Sequence, residues 1–488
     1  MIAAGVVIVV GLAVLYALGI RAIVQVPFRA LGILVGGYAF HNIVLMILLR
    51  LSTPAPLIRV VQAWKEGILL LLLVLAMRAA LIAWRAGRRP RLIFLDWIMV
   101  AFAVMVILYA LIPPAVFGVH VTLAQRALAI RLDLLLPLLY GFGRIFWTDR
   151  RGDLVWVIAA IAGSAAVVGL VGTIELWLVP TRFWLDGGVN QLSAWLGLTY
   201  QGPKGMPENF FQTSAEGPLL RRAVSTYVSP LGIAYSGLLV VPMAIAFAVW
   251  RSGRARGRVV PMVILCLTIV GVLFSLTRLA IGLMVAEIAL LGLLSLLFRR
   301  RWLLAVTALT AAAAIFMNYG YPQYGPLLDR NLNPLPHTYP IHIVSSRDPS
   351  LREHVGQLGF DLEYVILHPL GTGLGSAIHR FGVSTGPGES AIFDIFGELG
   401  VVGGAIYLPG YLLMIMAGLR AMVRARRDEL VVALPLVAGV GGLALLPITL
   451  TSDVWADLSV TFLFWWAAGY SVTIIARETD RRRSSGRS

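Results

Sequence analysis

The sequence predicts an all-α fold, a polytopic membrane bundle of about 12–13 transmembrane helices with two long connections, and three observations carry that expectation. Of the 488 residues, 59% are hydrophobic and only 13% charged, roughly half the charged share of a water-soluble domain. Apolar runs of about 20 residues, the length that crosses ~30 Å of hydrocarbon, recur along the whole chain. These runs lack the alternation of barrel strands, and a backbone in lipid must satisfy its own hydrogen bonds, so they are read as helices.

Taken in order, the expected spans are 3–20, 29–49, 67–84, 93–113, 127–147, 154–177, 229–250, 259–276, 279–298, 302–317, 392–419, 430–450 and 459–477. The whole chain, 1–488, reads as one integral membrane domain. Its first stretch has neither a basic start nor a small-residue cleavage site and is long enough to span, so it is expected as a retained first helix. The single cysteine, Cys266, falls in an apolar run and carries no redox inference.

Charge placement orients the bundle. Arginine-rich connections at Arg85 to Arg91, Arg150–Arg151, Arg251 to Arg258, Arg299 to Arg301, Arg420 to Arg427 and Arg477 to Arg487 all fall on one side of these spans. By the positive-inside rule that side is the cytoplasm, and the C-terminus is expected there. The net charge of +16 is accounted for by these anchors. No basic helix or aromatic-interleaved patch points to nucleic acid, so nucleic acid is excluded as a partner, whereas membrane lipids are implied.

Two connections exceed the usual length between bundled helices, 178–228 and 318–391, and both are expected on the extracytoplasmic side. The first carries Trp184, Trp195, Tyr200 and Phe210–Phe211, which suit an interfacial belt or a groove lining. The second gathers Arg330, His337, His342, Arg347, Arg352, Glu353, His354, Glu363, His368, His379, Arg380 and Glu389. No His/Asp/Glu group has metal-ligand spacing, so neither a metal nor a cofactor is expected.

Arginines on the outer side run against the charge bias. Arg221 and Arg222 precede a span, and Arg278 lies where two spans are joined by almost no loop. A guanidinium at or below the membrane boundary costs up to ~3 kcal/mol, normally offset by an anion or a carbonyl cage, and its planar fork suits phosphate oxygens. Snorkelling to the headgroups is the alternative reading of Arg278.

The stretch Arg222-Ala-Val-Ser-Thr-Tyr-Val-Ser-Pro230, the segment Ser275-Leu-Thr-Arg278, Arg352 followed by His368-Pro-Leu-Gly-Thr-Gly-Leu-Gly375, and Glu398-Leu-Gly-Val-Val-Gly403 resemble, in order and spacing, the O-antigen ligase and O-antigen polymerase family over roughly residues 120–420. The resemblance implies a metal-independent glycosyltransferase of the bacterial inner membrane. Such an enzyme moves a glycan from undecaprenyl diphosphate to a hydroxyl of a second glycan, of lipid A core or of a protein.

In that chemistry negative charge develops on the departing diphosphate, and fixed guanidinium groups stabilise it. Arg222 and Arg278 are assigned this role, with Arg352 third. Arg221, His368, Gly373 and Gly375 are further substrate-binding candidates. A base must also take the acceptor's proton. Many relatives carry a His-Asn pair before the final Glu-x-Gly, where this sequence reads Gly388-Glu389-Ser390. Glu389 is either the replacement base or the cap of a helix beginning near Ala391. His368 is either a second base candidate or the shaper of a Gly-rich turn. A nucleotide-binding reading of Gly371 to Gly375 is rejected because no βαβ strand precedes it.

Asp96, Arg131, Asp133 and Glu287 are charges inside apolar runs, with an Asp96–Arg131 pair as one possibility. A lipid-linked oligosaccharide flippase or other transporter is the competing function, although the two halves of the chain lack the matched loops of repeat-built transporters.

Overall fold

The computed structural model describes residues 2–87, 92–198, 206, 210–212, 220–251, 257, 259–296, 302–321, 349–426 and 428–485, with backbone alone at 251, 295–296, 349–353 and 479–485. In chain order the helices are α1 (Ile2–Gln25), α2 (Arg29–Tyr38), α3 (His41–Arg50), α4 (Ala55–Gln62), α5 (Trp64–Arg85), α6 (Phe94–Leu111), α7 (Leu123–Ile145), α8 (Arg151–Leu178), α9 (Thr181–Asp186), α10 (Val189–Trp195), α11 (Pro230–Arg251), α12 (Val259–Phe274), α13 (Arg278–Leu296), α14 (Trp302–Tyr319), α15 (Pro349–Leu367), α16 (Ala391–Ala425), α17 (Ala433–Thr449) and α18 (Leu458–Ser485). A two-residue hairpin pairs β1 (Phe211–Gln212) with β2 (Leu220–Arg221) in antiparallel register.

The fold is all-α and polytopic. Among the described residues eight helices are long and apolar enough to cross a membrane, or nine if α2 and α3, bent by 47°, form one span. Each of the thirteen expected spans coincides with a helix or with this bent pair. Those outside the eight have visible reasons in several cases: α7 carries Arg126, Arg131, Asp133 and Arg144, α12 has 16 residues, and α17 is interrupted by a π-helical turn at Val437–Gly441. The helix α15 and the short helices α9 and α10 arise inside the two long connections, 318–391 and 178–228, which hydropathy reads as loops.

The chain groups into two compact units, one of residues 1–9, 36–59 and 159–356 and the other of residues 10–35, 60–158 and 357–488. In the first unit α8 crosses α12 closely, because a Cβ at Gly169 would overlap the Leu267 carbonyl and Gly271 lies opposite. Small residues at a crossing are how membrane helices approach without a hydrophobic drive between them.

The second unit uses the same device where α7 meets α18, with Gly143 against the Trp466 carbonyl and Gly469 against that of Tyr140. Around it lies an aromatic core of Tyr407, Tyr411, Trp455, Phe464 and Trp465. Trp455 Nε1 donates to Tyr407 Oη at 2.6 Å, which satisfies a polar tip that burial would otherwise strand. Asp96 pairs with Arg144 at 2.9 Å and accepts from Tyr140 Oη at 2.6 Å, while Arg131 lies 3.5 Å from Glu66. The expected Asp96–Arg131 pair is therefore replaced by two others. Arg144 lies on α7 across from Asp96, near enough to grip both carboxylate oxygens.

Candidate active site

Arg221 and Arg222 are positioned by the hairpin and by the end of α12. The Arg222 N–H donates to Phe210 O at 3.2 Å and the Ala223 N–H to Phe274 O at 2.9 Å, so the segment is tied to the residue before β1 on one side and to α12 on the other. Consecutive side chains then diverge. Arg221 turns to Glu175 of α8, donating from Nη2 to Oε1 at 3.3 Å and from Nη1 to the Val179 carbonyl. The same carboxylate accepts from the N–H groups of Val224 at 3.1 Å and Ser225 at 2.9 Å and from Trp184 Nε1 at 3.2 Å. Arg221 thus has a buried counter-charge, and Glu175, a lone carboxylate in an apolar run, is a residue that sequence reasoning passed over.

Arg222 has neutral partners. Its Nε donates to the Ser275 carbonyl at 2.7 Å and its Nη2 to Thr277 Oγ1 at 2.8 Å, with the side chain 6% exposed. Burial lowers its pKa from 12.5 to about 10; Tyr235 opposes this shift, and the nearby charge of Arg278 adds to it. Arg278 opens α13 and is half-buried. A cation at a helix N-terminus is on the unfavourable end of the dipole, and here the two guanidinium groups lie near a helix end of the same sign. Ser225, Val228 and Leu276 hold positive φ angles of 47°, 52° and 52° within these same two segments. Strain of this kind in non-glycine residues persists where the surrounding structure fixes it, commonly at functional sites.

In the second unit the stretch His368 to Gly375 wraps the start of α16. Gly371, Gly373 and Gly375 have φ of 73°, 89° and 98°, a region open to glycine at little cost. The Thr372 and Gly373 N–H groups donate to the carbonyls of Gly397 at 2.8 Å and Glu398 at 3.0 Å. Those of Gly375 and Ala377 hold the Glu398 carboxylate at 3.0 and 3.1 Å. Gly373 and Gly375 therefore serve a backbone cradle for Glu398. His368 stacks on Tyr364 with ring centroids 4.4 Å apart, and its Nδ1 lies 3.1 Å from the Tyr364 carbonyl.

Glu389 is exposed, and the cap of α16 is Ser390, whose Oγ accepts from the Phe393 N–H at 3.1 Å. The turn carrying Glu389 is clamped twice. Asp361 Oδ1 accepts from the Gly388 N–H at 2.7 Å, and the Ala391 N–H donates to the Ser452 carbonyl at 3.1 Å. That second bond brings Asp453 beside Glu389. Burial raises the Asp453 pKa, Arg380 and His379 lower it, and the Glu389 charge raises it further.

No known family profile matches this chain, and comparison with curated proteins finds no match. What the site can do is set by its own chemistry. The structure brings Arg222 and Arg278 together in one unit, and Glu389 with Asp453, Arg380 and His379 in the other. The Arg352 side chain, and Tyr200, Arg330, His337, His342 and Arg347, lie outside the described residues. Among the described residues no group of three or more His, Cys, Asp or Glu is placed to hold a metal ion. Asp361 and Asp453 carry no spacing signal, whereas Glu398 opens the segment Glu398-Leu-Gly-Val-Val-Gly403.

Proposed function

We propose that this chain is a glycosyltransferase of the bacterial inner membrane that moves a glycan from undecaprenyl diphosphate to a hydroxyl acceptor on the extracytoplasmic face. The observation that carries the reading is the buried Arg222 guanidinium beside Arg278, with a carbonyl and a hydroxyl as its hydrogen-bond partners. A positive locus so arranged suits a diphosphate better than a neutral ligand. The acceptor oxygen attacks the anomeric carbon, the carbon–oxygen bond to diphosphate breaks, and the electron pair leaves with the lipid diphosphate. Arg222 and Arg278 stabilise that charge, and the hydroxyl proton passes to a general base, the role that the sequence offers to Glu389. Arg221, paired with Glu175, positions the segment.

A lipid-linked oligosaccharide carrier is the second reading. Glu287 of α13 favours it, since it is 4% exposed and neither carboxylate oxygen has a hydrogen-bond partner among the described residues, and ionisable groups inside a membrane commonly mark transport pathways. The test is purified protein in lipid, given undecaprenyl-diphosphate oligosaccharide and glycan acceptors. Release of undecaprenyl diphosphate with transfer, lost in Arg278→Ala, supports the transferase. Movement of intact donor across the bilayer without release overturns it in favour of the carrier.

A further inference from the structure

The helix α15 has two faces of different chemistry. Asp361, Tyr364 and Val365 point inward and are buried. Phe360, Leu362, Ile366 and Leu367 point outward with exposures of 52%, 54%, 68% and 67%, and Leu370 in the following turn reaches 70%. On a 3.6-residue helix these outward positions share one broad arc, on which Glu363 is the acidic exception. An exposed apolar patch of this extent marks an interaction surface.

Continuity says what covers it. Tyr109 Oη donates to the Leu370 carbonyl at 2.6 Å, which fastens the turn after α15 to the last helical turns of α6. That helix is one of the eight able to cross a membrane, and it exposes its own apolar row of Trp97, Val100, Val104 and Leu108. The Leu370 end of the α15 face is thereby held at the Leu108 end of that exposed row. A helix whose apolar face enters the boundary between headgroups and acyl chains lies in the interface plane, and Glu363 on that face reaches headgroups and water from there.

We infer that α15 is an interfacial anchor whose Phe360, Leu362, Ile366 and Leu367 side chains insert among lipid acyl chains just below the headgroups. Its inward face holds Gly388 through Asp361, so seating the outer face in lipid fixes the depth of the turn that carries Glu389.

The chain has one cysteine, Cys266, and it is exposed, which makes site-directed spin labelling direct. In a Cys266→Ala background, nitroxide labels are placed singly at Phe360→Cys, Leu362→Cys, Ile366→Cys and Leu367→Cys in lipid nanodiscs. Leu108→Cys is the lipid standard and Glu389→Cys the water standard. The expected result is that collisions with dissolved oxygen exceed those with a water-soluble nickel chelate at all four positions, as at Leu108. Dominant collision with the nickel chelate overturns the inference, since the face is then in water. Low collision with both reagents also overturns it, because a protein surface then covers the face. Neither outcome depends on enzymatic turnover, so the anchor fails or stands apart from the transferase reading.

Discussion

Replacing Arg222 separates the fork of a guanidinium from its mere charge. Arg222→Ala removes two donors now held at 2.7 and 2.8 Å and leaves the Ser275 carbonyl and Thr277 hydroxyl without them. Loss of one fixed donor to a developing oxyanion costs about 2.7–4 kcal/mol, roughly 10²–10³ in kcat. Arg222→Lys keeps a positive charge but cannot span a carbonyl and a hydroxyl with a planar fork, so it recovers only part of the loss. The assay is the rate of undecaprenyl diphosphate release in nanodiscs at saturating donor, with size-exclusion profiles confirming a folded protein. Wild-type rates in a folded Arg222→Ala protein would refute the role.

The lowered pKa adds a second readout. Arg222 loses its proton as pH rises through about 10, which is within experimental reach, so activity falls there. Stability moves the other way. The folded state binds this proton less tightly than the unfolded chain, so the group's unfavourable contribution at neutral pH is relieved between about 10 and the ordinary value of 12.5.

Four further outcomes are expected. Asp361→Ala leaves the buried Gly388 N–H unpaired, at a cost of about 1–3 kcal/mol read as a lower melting temperature, whereas Asp361→Asn keeps an acceptor oxygen and loses less. Gly375→Ala is more damaging than Gly373→Ala in folded yield, because a Cβ at Gly375 falls 2.6 Å from Val121 Cγ1 and 2.8 Å from the Arg126 nitrogen, against 3.2 Å from the Phe117 ring at Gly373. Asp457, raised by burial to about 6 despite its hydrogen bonds from Ser459, binds its proton more tightly when folded. Its contribution to stability therefore weakens as pH rises from about 4 to about 6, and a melting series in Asp457→Asn lacks that slope. Glu389→Gln is exposed and uncapping, so it keeps wild-type stability while glycan transfer is lost; transfer at an unchanged rate removes Glu389 as the base.

Hydropathy made the spans legible because lipid imposes length and composition on any crossing helix, and α5, α6 and α14 begin and end within a few residues of expectation. Arg222 and Arg278 stood out for the opposite reason, as charges where the solvent disfavours them. Hidden from that logic were groups defined by partners far along the chain. Asp361 and Gly388 lie 27 positions apart, and Glu175 and Arg221 lie 46 apart. Of the two readings of Glu389, the cap falls instead to the next residue, Ser390, whose shorter side chain reaches the N–H three positions on. The helix α15 went unread because apolar residues lie on both its buried and its exposed faces, with Asp361 and Glu363 set among them, so no single stripe at helical spacing marks it.

Within the 35 residues of α16 lies a break at Gly400, with φ 70° and ψ −176°. The Val401 N–H bonds to Pro369, outside the helix, and the carbonyls of Gly397 and Glu398 accept from Thr372 and Gly373. Hydrocarbon offers no substitute donors for such carbonyls. During biosynthesis α16 therefore cannot settle until the 369–375 loop, already translated, is folded against it. Lesions in that glycine loop should surface first as failed insertion and proteolytic turnover of nascent chains, which pulse labelling detects before any catalytic defect can be seen.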